Sequence, residues 1–471
     1  MYKVKYSPLQ RTSSMPLQEN KRNLYQSDFP PAEFASRRAV LFDRIGPDAC
    51  ALVQGAGPSG RSELFRQSNE FYYLCGIESP QAYLLLDGRT RTTTLFLRHR
   101  DERQERSEGP TLSAEDAADV IELSGVDAVR PSEEIESCLK SPVLYTPHSP
   151  AEGRATYRDE ALHAQKLIAE DAWQAHTSRE QRFISLLRKR YPGIEIRDVS
   201  PLLDEMRLYK SPAEIAVLRR AGRLTALAAC EAMRCTRPGM FEYQLGAKAE
   251  YICRMNGAGG EGYRAIIASG DNIWFPHYGR NKSVLQEGDV VLFDWAPDFG
   301  YYTSDIGRTW PVAGRFTAQQ RELYGFITRY HKELLRRLRP GVLPQQILDE
   351  TALEMKAVIE ATAFSKPIYE QAARRALEYK GHLSHPVGMA VHDVGKYWER
   401  PLQHGLVIAI DPQMWIPEEK LYVRVEDTVA VTKTGIENLT AMAPIELDAI
   451  EALVGNRSGS VTESGLLTRS W

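Results

Sequence analysis

Four acids in the C-terminal half of this 471-residue chain stand where a folded protein seldom leaves an acid unpartnered. Asp294 closes the apolar run Val290-Val291-Leu292-Phe293, and Asp305 precedes Ile306-Gly307-Arg308-Thr309. The break Pro297-Asp298-Phe299-Gly300 between them makes the pair read as a β-hairpin. A two-residue loop at Phe299-Gly300 sets Asp294 directly opposite Asp305. Like charges facing each other across strands are destabilising, and burying them unpaired costs several kcal/mol. A cation between them removes the conflict; a register slip of one or two residues would instead leave both in water. Asp411 ends the apolar strand Leu406–Ile410 where Pro412 stops it, and Glu426 sits in Tyr422–Val429. There, period-two alternation puts Arg424, Glu426 and Thr428 on one face and Val423, Val425, Asp427 and Val429 on the other.

Three histidines, His382, His385 and His392, crowd a glycine-punctuated loop that lacks the H-E-x-x-H helix of a zinc protease. Asp294, Asp305, Asp411 and Glu426 carry four negative charges, which two divalent cations neutralise. Oxygen-rich ligation with one imidazole suits Mn²⁺, Co²⁺ or Zn²⁺ better than a thiolate-type structural zinc. Two metals held by shared carboxylates generate a hydroxide nucleophile and polarise a carbonyl, which is the chemistry of hydrolysis. Spacing does not say which bond is cut.

The elements that must carry these groups follow from patterning. Ser211-Pro212-Ala213-Glu214 is a capping box with proline at the first helical position, opening a helix with Ile215, Leu218, Ala221, Leu224 and Leu227 on one face. A second helix is expected over about 241–255, strands at 265–269, 290–295 and 303–312, and helices at about 318–338, 343–362 and 368–379. Strands at 406–411 and 422–432 follow. Upstream, a helix from Pro31, strands at 49–53, 82–86, 94–97 and 143–145, a helix near 114–122 and one or two helices over 161–190 describe an α/β layer. Gly55-Ala56-Gly57-Pro58-Ser59-Gly60 matches G-x-G-x-x-G, but Pro58 and the polar Arg61-Ser62-Glu63 argue against a dinucleotide site.

Composition narrows the class. A hydrophobic share of 43% fits a soluble globular chain of two or three domains, and a net charge of −3 gives no pull toward nucleic acid or an anionic membrane. The six cysteines have no C-x-x-C pair and read as reduced thiols in a cytoplasmic protein. No apolar run has membrane-spanning length. The first 29 residues lack a signal-peptide core, and residues 1–28 are expected to form a polar, disordered tail rather than a transit peptide.

Read together, Val291-Leu292-Phe293-Asp294, Tyr302-Thr303-Ser304-Asp305-Ile306-Gly307-Arg308-Thr309, His382-Leu383-Ser384-His385-Pro386-Val387-Gly388, Val391-His392-Asp393-Val394-Gly395, Ile410-Asp411-Pro412 and Val423-Arg424-Val425-Glu426-Asp427 resemble the Xaa-Pro aminopeptidases (aminopeptidase P) of the creatinase and methionine-aminopeptidase superfamily. Glu205–Ile215, Thr236–Met240 and Thr434–Thr440 support the likeness, and Phe65–Leu74 resembles the signature of the family's N-terminal domain. The resemblance implies a two-domain α+β/α/β protein: a creatinase-type N-terminal α/β domain at 29–206, then a pita-bread catalytic domain at 207–454, with flexible tails at 1–28 and 455–471. It implies two divalent metal ions, manganese first and zinc or cobalt next, on Asp294, Asp305, His385, Asp411 and Glu426, with Asp305 and Glu426 bridging. His277 and His392 fall on histidines that assist the tetrahedral intermediate, and Arg424 on an arginine near the site. The implied reaction is attack of a metal-bridging hydroxide on the carbonyl before a proline in second position of a peptide. No nucleic acid or membrane partner is implied, and a homo-oligomer, dimer or tetramer, is.

Three positions depart from that pattern. Asp411-Pro412-Gln413 stands where the family has glutamate followed by Pro-Gly, so the carboxylate reaches roughly 1.5 Å less. In the family that glutamate is also a candidate for moving the proton of the attacking water, which places Asp411 among the catalytic candidates. Gly381 replaces a histidine four residues before His385, with His382 one place away, and Pro386 replaces a bulky residue. Two rival readings follow: a prolidase-like dipeptidase or small-molecule hydrolase on the same fold, and a non-catalytic pita-bread binding protein with a weakened metal site.

Overall fold

The computed structural model describes residues 25–60, 63–174 and 176–455, so residues 1–24 and 456–471 of the expected tails lie outside the described residues. The first part is built on a mixed sheet of six strands: β1 (Ala49–Gln54), β2 (Tyr83–Asp87), β3 (Thr92–Leu97), β4 (Ala128–Pro131), β5 (Val143–Thr146) and β6 (Glu195–Asp198), in the order β4-β3-β2-β1-β5-β6. β1–β2 and β2–β3 are antiparallel, and the other pairs are parallel. One sheet face buries Leu52, Leu85, Phe96 and Leu144 with Leu187 of the helix Arg179–Arg190. Among the described residues the glycine-rich loop 55–60 opens no helix, and the next helix begins at Asn69. It therefore lacks the helix N-terminus that a pyrophosphate needs.

The second part contains β7 (Gly260–Glu261), β8 (Ile266–Ser269), β9 (Val290–Asp294), β10 (Pro297–Asp298), β11 (Ile306–Pro311), β12 (Val407–Ile410), β13 (Gln413–Ile416), β14 (Leu421–Arg424), β15 (Glu426–Val431) and β16 (Ile436–Asn438). Its main sheet is antiparallel, in the order β12-β15-β11-β9-β8, with β16 against β15. The helix Pro212–Cys235 packs on it through Leu218, Ala221 and Leu224, with Ile215 and Leu227 half-buried. Its capping box forms as expected: Ser211 Oγ accepts from Glu214 N at 3.2 Å, and Ser211 N donates to Glu214 Oε2 at 2.9 Å. Gly222 is needed here, because a Cβ at this position would sit 2.6 Å from the Leu439 carbonyl oxygen.

Two details differ from the expectation. The hairpin loop is Gly300-Tyr301, not Phe299-Gly300, with φ of +57° and +70° at the two residues. Positive φ at both central positions is what a tight twisted hairpin requires; Tyr301 is held there by stacking on Tyr72 at 3.4 Å, and by the Arg66 guanidinium 4.4 Å over its ring. The register moves accordingly, and Asp294 pairs with Gly307 rather than Asp305. The expected single strand at 422–432 is two strands, since the chain leaves its β13 partner after Arg424 and joins β11 from Glu426.

Asp427 points away from the other acids into the core, where Arg308 Nη2 at 2.6 Å, Thr440 Oγ1 at 2.6 Å and His331 Nε2 at 3.3 Å meet it. Burial pushes the His331 imidazole down to about 4, and Arg308 adds to that against the pull of Asp427. A depressed folded-state pKa means that this contribution is complete above the unfolded value of 6.5 and is lost as the pH falls from there to about 4. At about 1.4 kcal/mol per pH unit, the loss attributable to His331 is roughly 3 kcal/mol. Urea unfolding at pH 7 and pH 4.5 should show a smaller fall in midpoint for His331→Gln than for the natural chain; equal falls would remove His331 as the cause.

Candidate metal centre

Three strands place the acids. Asp294, Gly307 and Glu426 form one row across β9, β11 and β15, because Gly307 pairs with both acids. A Cβ on Gly307 would lie 3.0 Å from Glu426 Cβ and 3.1 Å from Arg424 Nε, so glycine leaves the room these side chains fill. Asp305 lies two residues before Gly307 and so projects from the same face, diagonal to Asp294. Thr428 fixes its backbone, accepting from Asp305 N at 2.6 Å and donating to Asp305 O at 2.8 Å. The expected proximity of Asp294 and Asp305 thus holds in a different register from the one expected.

His385 arrives from the loop beside β12, where its carbonyl accepts from Ala409 N at 3.0 Å. Its Nε2 stands 3.3 Å from Asp305 Oδ2 and 3.9 Å from Glu426 Oε1. One ligand atom each from Asp305, His385 and Glu426 lie within 4.8 Å of one another. Arg424 Nη2 contacts Asp294, and the guanidinium lies 3.5 Å from Glu426 Oε2 and 3.6 Å from Asp411 Oδ2. Asp411 follows β12 into the same cavity, with Oδ2 taking the Gln413 amide at 2.5 Å and Oδ1 buried without a hydrogen-bond partner among the described residues.

The cavity measures about 570 Å³ and is lined by all five candidate ligands together with His277, His392, Arg424, Tyr263, Arg264, Tyr157 and Glu160. His392 stacks on His385 at 3.9 Å and on Tyr157 at 4.5 Å, and burial, then the neighbouring His385, pushes it down to about 3. His277 stands on the cavity rim, lowered by desolvation and by Arg424 and Arg264. His382 goes elsewhere: it meets the Tyr379 hydroxyl at 2.7 Å and lines an adjoining cavity, so it does not stand in for the missing histidine at 381.

The residues present fit divalent cations. Burial and the neighbouring acids push Glu426 well above the usual carboxylate range, and burial first, with Asp305, pushes Asp411 up to about 7. Positive charge between them reverses both shifts. Tyr263 points the same way: its hydroxyl lies 2.7 Å from Asp294 Oδ1 and 2.8 Å from Asp305 Oδ1, yet has a single proton to give. Tyr263, Tyr157 and Gln413 were not among the sequence candidates. Tyr263 alone had a weak signal, in preceding the apolar strand β8.

This is the fold and site of a metallopeptidase. Residues 216–433 match the model of metallopeptidase family M24, and residues 34–146 match that of the aminopeptidase P N-terminal domain. The chain is 34% identical over 455 residues to the Xaa-Pro aminopeptidase of Escherichia coli (strain K12), covering 91% of this chain and 98% of that one. The structure of aminopeptidase P from E. coli with the inhibitor Pro-Leu superposes with a TM-score of 0.74 at 32% identity, covering 91% of this chain and 99% of that one. A putative aminopeptidase P from Bacillus anthracis gives a TM-score of 0.77 at 26% identity, with 91% and 99% covered. The chain belongs to the aminopeptidase P family of M24 metallopeptidases and is a metal-dependent aminopeptidase, with a creatinase-type N-terminal domain before a pita-bread domain. The binding-only alternative is set aside with that assignment. Among the described residues no helix is long and apolar enough to cross a membrane.

Proposed function

We propose that this chain removes the N-terminal residue of peptides whose second residue is proline, using two divalent ions held by Asp294, Asp305, His385, Asp411 and Glu426, with Asp305 and Glu426 shared. The observation that carries the reading is the meeting of these five side chains in one cavity whose walls bear His277 and His392. Manganese is the first choice, with zinc and cobalt next, because carboxylate oxygens outnumber the single imidazole. When bound, such ions lower the pKa of water and polarise a carbonyl. Arg424 holds Asp294, Asp411 and Glu426 in register around them. His277 and His392, kept neutral by desolvation, offer N–H groups to the charge that develops on the substrate carbonyl oxygen. The Asp411 carboxylate is the candidate to take the nucleophile's proton and deliver it to the departing prolyl nitrogen. The proline preference rests on likeness to the E. coli enzyme. The reading also includes the division at 206/207, a cytoplasmic setting, and a homo-oligomer that light scattering would test.

The chelator-stripped chain reloaded with Mn²⁺ is expected to cleave Xaa-Pro-Xaa tripeptides after the first residue and to be far slower on Xaa-Pro dipeptides. Chelation should abolish turnover and renewed Mn²⁺ restore it. Preference for the dipeptide would replace this reading with a dipeptidase, and failure to bind metal at all would end it.

A further inference from the structure

Asp411 is short for its task, and its immediate surroundings supply a device for aiming it. Gln413 stands directly opposite Arg424 on the β13–β14 hairpin, so amide and guanidinium project side by side toward the same carboxylate. Both address one oxygen: Gln413 Nε2 lies 2.5 Å from Asp411 Oδ2, and Arg424 Nη1 lies 3.6 Å from it. A carboxylate only accepts, so the amide must present its NH₂ here. With Oδ2 occupied, the torsion of the carboxyl group is fixed and Oδ1 is left buried and unpartnered among the described residues. Asp411 also borders the adjoining cavity of about 480 Å³, lined by Tyr379, His382 and Ser384, and nothing in its own length prevents the carboxyl group from turning that way.

We infer that Gln413 is a positioning residue, which holds Asp411 by Oδ2 so that Oδ1 is the atom offered to a divalent cation. This rests on the metal site proposed above, and only the Asp411 side of that site depends on it. Partners of metal ligands of this kind are typically worth 10- to 100-fold in metal affinity or activity.

The test is calorimetric titration of Mn²⁺ into the metal-stripped full-length chain. The natural chain is expected to take up two ions. Gln413→Leu, which keeps the branched shape at one atom less reach and loses the donor, should bind one ion as before and the other about 10- to 100-fold more weakly. Gln413→Met, which keeps the length, should behave alike, and both metal-free variants should still unfold in one cooperative transition, lowered only by the one hydrogen bond lost. In an Asp411→Asn background, Gln413→Leu should produce no further weakening, because the group it aims is already disabled. Two ions bound by Gln413→Leu and Gln413→Met with natural affinities would overturn the inference and leave the proposed function standing. Equal weakening by Gln413→Leu with and without Asp411→Asn would overturn it too. A natural chain that binds fewer than two ions would remove the dinuclear reading and this inference together.

Discussion

Glu426→Gln is expected to abolish measurable peptide hydrolysis while making the metal-free protein more stable than its parent. The two halves of this result have one cause. Glu426 is 1% exposed and faces Asp305 and Asp411, and burial with those neighbours holds its carboxyl well above the usual range. A folded pKa above the unfolded one means that at neutral pH the ionised group opposes folding, and glutamine of the same shape removes that opposition. With Mn²⁺ present the order should reverse. A ligand that binds only the folded state stabilises it in proportion to its affinity, and the variant has lost a shared oxygen. Metal contributes several kcal/mol to charge stabilisation in hydrolysis, so a loss in kcat/KM of roughly 10³-fold or more is expected, at about 1.4 kcal/mol per decade. The check is a pair of thermal unfolding curves, with and without Mn²⁺, beside the tripeptide assay. A metal-free variant no more stable than the parent would contradict the electrostatic account; natural turnover would remove Glu426 from the centre.

How much of this was legible before the structure can be seen at single residues. The runs ending in Asp294 and Asp411 and the capping box at Ser211 are local patterns, and each produced the expected element within a few residues; at 422–429 Glu426 and Asp427 point to opposite sides as expected, but the strand breaks after Arg424. The hairpin register was not local. It depends on Tyr301 accepting a left-handed conformation, which Tyr72 and Arg66 stabilise from more than two hundred positions away, and no spacing rule reports that. The choice between His382 and His385 was equally invisible to periodicity: in an irregular loop, three residues decide which of two cavities a ring enters. Tyr157 acts through packing against His392, far away in sequence, and Gln413 through a turn and hairpin register that bring its amide to Asp411 and Arg424; neither residue type carries a signature. Shared apolar strands and paired acids gave away the centre, whereas the groups that steer them emerged only with the fold.

Arg207→Met is expected to be the most destabilising single change outside the centre. Arg207 is 1% exposed and joins the two parts of the chain: Nη1 lies 2.6 Å from Glu152 Oε2 and 3.7 Å from Glu70, while Nη2 lies 2.5 Å from Asp393 Oδ1. Removing one partner of a buried pair strands the other charge and typically costs about 3–5 kcal/mol. The two acids are not equally exposed to that loss. Asp393 keeps Lys210, whose Nζ is 3.0 Å from Oδ2, whereas Glu152 keeps only the Asn69 amide at 3.2 Å and Arg158 at 3.8 Å among the described residues. Neutralising the stranded acid should therefore restore most of what was lost: Arg207→Met/Glu152→Gln is expected to unfold in urea closer to the natural chain than Arg207→Met does, although it carries one more substitution. Activity should not recover in parallel. Asp393 follows His392 directly, and Arg207 is one of the two cations that anchor it, so the double variant is expected to keep a lowered kcat with little change in KM. A double variant less stable than the single one would mean that Glu152 is held by its other neighbours and that Arg207 acts mainly through Asp393.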